Sequence, residues 1–186
     1  MSVIRLATWN VNSIKVRLPH LLQWLGAQEA LKAPIDALCL QELKLTEDKF
    51  PFAELEAAGY YALVAGQKTY NGVALLLRKA SLASIASDST TAFLSPLKNN
   101  PKFTDEQQRL VAATVAFHGR APIRLISAYF PNGQAPGTEK FAYKLNWLSG
   151  LHDWLSEEIE EHPRVALLGD YNIAPDDQDV HDPAAW

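Results

Sequence analysis

Four stretches of this 186-residue chain each close an apolar run with side chains that can hold a cation or move a proton. Val165 to Leu168 is followed by Gly169 and then by Asp170 and Asn172, two residues apart. Ile4 to Trp9 runs into Asn10 and Asn12 with the same spacing, and Ile35 to Leu40 runs through Gln41 into Glu42 and Lys44. Ile123 to Ala128 ends in Tyr129-Phe130-Pro131-Asn132-Gly133. In extended chain, residues two apart share a face, so each pair would present two polar groups together. Taken alone, each ending is also what an ordinary turn, an exposed ion pair or a rim tyrosine looks like. Four of them in one small chain are harder to ascribe to turns. Two carboxylates with neighbouring amides suit a hard, oxygen-preferring cation such as Mg²⁺, which takes one or two carboxylates and keeps several waters. They suit a soft metal poorly, and no Cys/His cluster competes. A hard cation beside a carboxylate base points to metal-assisted attack of water on a phosphate ester. A Gly-rich phosphate loop is absent from the sequence, which argues against nucleoside triphosphate hydrolysis.

The elements that must position these groups are readable from the apolar pattern. Continuous apolar runs bounded by turn residues predict strands over 4–9, 35–40, 60–65, 73–77, 110–117, 123–128 and 165–168. The last is expected to be covered on both faces, with Gly169 turning the backbone beyond it. Leu18, Leu21, Leu22 and Leu25 follow helical spacing, with Pro19 near the start and Gly26 unfavourable inside. Strand, helix, strand makes the first unit βαβ. Residues 66–72 read as a hairpin loop, and 88–108 as a long loop without a period. Thr138 can cap a helix carrying Leu148, Leu151, Leu155 and Ile159, whose end, rich in Glu157, Glu158, Glu160 and Glu161, reads as solvated.

The formal net charge is −4, with ten basic and eight acidic side chains in residues 1–100 against seven and thirteen in residues 101–186. A protein gripping nucleic acid by global charge should be basic, so phosphate binding here must come from a local patch. The single cysteine, Cys39, lies in an apolar run and reads as a small buried hydrophobe. No run is long enough to span a bilayer, and the first residues lack a basic flank and apolar core of signal-peptide type. The expectation is a cytoplasmic protein with no membrane and no obligate protein partner.

Trp9-Asn10-Val11-Asn12-Ser13, Leu40-Gln41-Glu42-Leu43-Lys44, Asn71-Gly72-Val73-Ala74-Leu75, Tyr129-Phe130-Pro131-Asn132-Gly133 and Gly169-Asp170-Tyr171-Asn172 occur in that order. In this the chain resembles the exonuclease III and abasic-site endonuclease branch of the endonuclease/exonuclease/phosphatase family. The resemblance implies an α/β fold, a four-layered α/β sandwich of two packed mixed sheets flanked by helices. It implies one such domain over 1–186, incomplete at the C-terminus. By the match, Glu42 is the principal Mg²⁺ ligand (Mn²⁺ substituting) with help from Asn10, and Asp170 and Asn172 complete the metal's surroundings. Asp170 aligns and deprotonates water, Asn172 holds the phosphate or its transition state, and Tyr129 meets the scissile phosphate. Asn12, Lys44, Arg109, Asn132 and Lys144 position substrate.

The implied reaction is hydrolysis of phosphodiesters in duplex DNA, from 3′ ends and beside abasic sites, in base-excision repair. The family keeps a further aspartate motif and a Ser-Asp-His that this sequence does not contain. The expectation is therefore a strongly impaired nuclease with an open apolar edge. His181 falls in a loop after the Asp170 strand and is expected to be merely solvated. Two alternatives stand beside this reading. One is a phosphatase or phosphodiesterase of the same family acting on a small or lipid phosphate ester. The other is a DNA-binding fragment without catalysis.

Overall fold

A computed structural model describes residues 3–83 and 88–185. In chain order the elements are β1 Leu6–Asn10, α1 Ile14–Ala30, β2 Ala37–Gln41, α2 Phe52–Ala57, β3 Tyr60–Ala65, β4 Val73–Arg78, α3 Ser89–Ala92, β5 Leu94–Lys98, β6 Leu110–Val115, β7 Ile123–Tyr129, α4 Glu139–Glu161 and β8 Val165–Asp170. They build two four-stranded sheets, ordered β1-β2-β4-β3 and β5-β6-β7-β8. In each sheet one pair is parallel, β1 with β2 and β7 with β8, and the others are antiparallel. The parallel pairs are the two joined through the long helices α1 and α4, as parallel neighbours require a crossover.

Alternation along the strands divides the apolar residues among three cores and so defines four layers. Leu38, Leu40, Ala74 and Leu76 pack outward against Ile14, Leu21 and Leu25 of α1. Their neighbours Ala37, Cys39, Val73, Leu75 and Leu77 face Val111, Ala113, Val115 and Leu125 of the other sheet. Leu110, Ala112, Ile126 and Ala128 pack on Trp147, Leu151 and Trp154 of α4. Strands buried on both faces read as unbroken apolar runs, which is why β2, β4, β6 and β7 were legible.

Several expectations are corrected by the structure. Val165 to Leu168 form no fully covered strand: β8 is an edge strand, and all six of its residues are only partly buried. Gly169 makes no turn either. It lies inside β8 opposite Ala128 of β7, where an added Cβ would stand 1.9 Å from the Ala128 carbonyl oxygen. The stretch read as a long loop contains α3 and the edge strand β5. Pro96 hides that strand from pattern reading, because it cannot donate to the ladder and the register shifts between Leu94 and Leu97. Glu158 is not solvated at the end of α4 but 8% exposed, its Oε2 accepting from Arg124 Nε at 2.5 Å. Arg124 also donates to the Ser95 carbonyl at 2.7 Å, tying α4, β7 and β5 together. Thr138 caps α4 as expected, its hydroxyl accepting from the Phe141 N–H at 3.2 Å.

Gly169 carries a prediction. Gly169→Ala forces β8 away from β7, and overpacking of this kind destabilises by about 1–3 kcal/mol. Urea unfolding of the two proteins measures it, and an unchanged midpoint would show that the strands separate freely.

Candidate active site

Strand parity brings the polar endings to one place. Asn10 shares its face with Leu6, Gln41 with Cys39, Tyr129 with Leu125, and Asp170 with Ala166 and Leu168, all on the side where the two sheets meet. Both parallel pairs run in the sense that delivers their carboxyl ends to the same rim. Asn10 Nδ2 donates to Glu42 Oε1 at 2.8 Å and to Asp170 Oδ2 at 2.8 Å, so one amide joins carboxylates from both sheets. Tyr129 Oη donates to the same Glu42 oxygen at 3.0 Å, and Lys44 Nζ lies 3.0 Å from Glu42 Oε2. Lys44 also donates to Asn12 Oδ1.

Glu42 lies one residue past Gln41, and alternation alone would aim it at the outer core beside Leu40. A backbone φ of +54° at Glu42 reverses this and returns the side chain to the inter-sheet rim. The Ser13 N–H donates to the Glu42 carbonyl at 2.7 Å, and the Lys44 N–H to the Asn71 carbonyl at 3.1 Å, fixing the turn. Below it, Gln41 is 1% exposed and bridges the sheets, accepting from Thr8 Oγ1 at 3.2 Å and donating to Ser127 Oγ at 3.4 Å.

The strand exits at Asn10 and Asp170 are built alike. The Asn12 N–H donates to Asn10 Oδ1 at 3.0 Å, and the Asn172 N–H to Asp170 Oδ1 at 3.1 Å. Both are side-chain turns with a left-handed residue, φ +44° at Asn12 and +49° at Asn172. The turn reading of these pairs is therefore borne out, and the same turns leave Asn10 Nδ2 and Asp170 Oδ2 to meet across the rim. The shared-face expectation holds for neither pair as extended chain. Asn172 reaches the site through its turn, with Nδ2 donating to the Phe130 carbonyl at 3.0 Å.

The remaining candidates are less alike. Lys144 Nζ donates to the Asn172 carbonyl at 2.5 Å, anchoring that turn from α4. Asn132 is exposed, accepts from the Gln134 N–H at 2.9 Å, and lines two clefts flanking the rim, of about 870 and 560 Å³. His181 lines the larger cleft with Asp170 and Asn172. Arg109 is buried, with Nε and Nη2 both on Gln107 Oε1 at 3.0 and 2.6 Å. Pattern reading missed Gln107, Tyr143 and Asp105, and took no role for Asn71 from the residues alone. Asn71, Gln107 and Tyr143 line one cleft with Tyr129, from the β3–β4 loop, the stretch without a period and α4 respectively, and Asp105 holds Tyr143 and Gln107 behind them.

The electrostatics follow from these contacts. Burial by itself would raise the Glu42 pKa; hydrogen bonds from Asn10, Lys44 and Tyr129, and the Lys44 charge, hold it below its ordinary 4.5. The Tyr129 hydroxyl is pushed up to about 12 by burial, by the Glu42 charge and by its hydrogen bond to Glu42. Tyr129 is thus a donor at neutral pH. Among the described residues no group of three or more His, Cys, Asp or Glu is gathered for a metal. A donor set of two carboxylates and amides fits a hard, water-retaining divalent cation and fits Zn²⁺ or copper badly.

A sequence model of the endonuclease/exonuclease/phosphatase family matches residues 7–186. The chain belongs to that family. Exodeoxyribonuclease III of Haemophilus influenzae is 29% identical over 178 residues, covering 95% of this chain and 60% of its own length. Among solved structures, a 3′ phosphatase from Neisseria bound to a product DNA hairpin is similar at 39% identity and a TM-score of 0.82, over 99% of this chain and 63% of that one. An abasic-site endonuclease from Archaeoglobus fulgidus is similar at 30% identity and a TM-score of 0.80, over 98% and 63%. This chain therefore spans about three fifths of the length of these family members. The two-sheet sandwich flanked by helices is the architecture they share with it.

A pH prediction follows from Glu42. Its folded pKa lies below 4.5, so the stability its carboxylate contributes is present above that value and is lost as pH falls through the lower folded one. Urea unfolding should find Glu42→Gln less stable than the parent at pH 7, with the gap closing below about pH 4.5. A gap constant from pH 7 to pH 3 would contradict the network.

Proposed function

We propose that this chain carries the catalytic rim of a divalent-metal-dependent hydrolase of phosphate esters in DNA. In this reading it acts at 3′ ends and beside abasic sites, with Mg²⁺ as the natural ion and Mn²⁺ as a substitute. One observation carries it above the others: Asn10 holds Glu42 and Asp170, one from each sheet, within hydrogen-bond reach of a single amide. That is a site for one hard cation with a second carboxylate left for proton chemistry. The family members with 3′ phosphatase and abasic-site endonuclease names support DNA as the substrate over a small or lipid phosphate ester.

Glu42 would be the principal ligand of the cation, with Asn10 beside it. The cation supplies Lewis-acid polarisation of the phosphate. Asp170, one oxygen held by Asn10 and the other by the Asn172 N–H, takes the proton of the attacking water. Tyr129, kept protonated by burial and by Glu42, would turn its one hydroxyl proton from Glu42 to a phosphate oxygen when substrate enters. Asn172, pinned by Phe130 and Lys144, faces the same reacting group. Lys44 and Asn12 form the basic and polar lip on the β1–β2 side, and Asn132 that on the β7 side. The net charge of −4 makes these local groups, and not the whole surface, the source of affinity.

The test is a single-turnover assay, enzyme in excess, on duplexes bearing an abasic site, a 3′-phosphate or a recessed 3′ end. Cleavage should require Mg²⁺ and disappear with chelator, and Glu42→Gln and Asp170→Asn should each lower it by about 10²-fold or more. Faster hydrolysis of an inositol phosphate than of any DNA would turn the reading to small esters. DNA binding without metal-dependent cleavage would reduce it to a binding module. In binding assays Lys44→Ala should lower the salt slope by about one unit.

A further inference from the structure

Arg109 sits just before β6 and is 9% exposed. Its Nε and Nη2 donate to Gln107 Oε1 at 3.0 and 2.6 Å, and its Nη1 donates to the Tyr129 carbonyl at 3.4 Å. The guanidinium lies over two tyrosine rings, 5.1 Å from the centre of Tyr129 and 5.8 Å from that of Tyr143. The Tyr129 N–H donates to the Arg109 carbonyl at 2.8 Å. Tyr143 in turn donates to Asp105 Oδ2, whose Oδ1 accepts from the Gln107 N–H at 3.1 Å. Gln107 Oε1 also accepts from Asn71 Nδ2 at 3.2 Å. The cation is therefore packed between aromatic faces, with three of its five N–H groups engaged inside the protein. A side chain so enclosed is poorly placed to meet a phosphate, whereas the exposed Lys140 lines the same 560 Å³ cleft.

We infer that Arg109 is a positioning residue: it clamps the Tyr129 ring and backbone so that the hydroxyl is held on Glu42, and it does not itself bind the phosphate backbone. This rests on the proposed role of Tyr129 at the phosphate. Two features of arginine make it suited to the task and lysine unsuited. Its planar fork grips Gln107 through two nitrogens at once, and its flat delocalised cation covers an aromatic face. A lysine would keep the charge and lose both.

Three measurements on Arg109→Lys, Arg109→Gln, Gln107→Leu, Lys140→Ala, Tyr129→Phe and the Arg109→Lys/Tyr129→Phe double variant test this, with melting curves confirming folding. The first is the salt dependence of binding to an abasic duplex in chelator. Both Arg109 variants should keep the parent slope, while Lys140→Ala should lower it by about one unit. A slope lowered by about one in Arg109→Gln and retained in Arg109→Lys would make Arg109 a phosphate contact and overturn the inference. The second is the ¹³C-tyrosine ring spectrum, with the Tyr129 signal assigned by its loss in Tyr129→Phe. Arg109→Lys and Gln107→Leu should both shift or broaden that signal; an unmoved signal overturns the clamp. Gln107→Leu keeps this arm decisive even where Arg109 variants fold poorly. The third is the single-turnover rate at saturating duplex. Arg109→Lys and Tyr129→Phe should each lose about 10²-fold, and the double variant no more than the larger single loss. Losses that multiply would overturn the inference. A moved ring signal with no rate change in Tyr129→Phe would leave the clamp standing and remove Tyr129 from the proposed chemistry.

Discussion

The interaction on which the rest of the rim depends is the pair of hydrogen bonds from Asn10 Nδ2, 2.8 Å to Glu42 and 2.8 Å to Asp170. Two carboxylates brought together repel, and in a partly buried rim that repulsion is poorly screened. One neutral donor between them offsets it without adding charge. It also couples the sheets, since Asn10 ends β1 and Glu42 follows β2 while Asp170 ends β8. The two layers must therefore keep their relative height to within hydrogen-bond tolerance for the site to exist. Gln41, bridging Thr8 and Ser127 just beneath, holds that height from below.

Around this centre the positive charges are divided by task. Lys44 lies against Glu42 and Asn12 at the lip, where it helps keep Glu42 ionised. Lys144 anchors the carbonyl of Asn172. Arg109 is enclosed behind Tyr129. Two of these three cations therefore act on the protein's own backbone and rings.

Most of the sandwich was legible. The runs at β2, β4, β6 and β7 are apolar on both faces because both faces are covered. Thr138 marked the start of α4 through its own hydroxyl. The errors have local causes. β8 has the same composition as a covered strand but occupies an edge, and composition carries no record of neighbours. Pro96 broke the alternation that would have revealed β5. Glu158 looked like one more solvated acid because Arg124, its partner, is 34 residues away.

The sequence by itself determined that polar side chains, Asn10, Glu42, Tyr129, Asp170 and Asn172 among them, stand at or just past the ends of apolar runs. It did so through alternation and turn chemistry, which act over a few residues. Only the tertiary structure decided how they meet. Glu42 faces the rim because of a left-handed backbone, φ +54°, stabilised by contacts to Ser13 and by the Lys44–Asn71 contact. Asn10 and Asp170 are 160 residues apart and are joined because two separate parallel pairs place their carboxyl ends at one level. Arg109 became a buried clamp because Gln107, Tyr129 and Tyr143 enclose it. Long-range pairing and burial are properties of the packed layers, and a local pattern of residue types does not contain them.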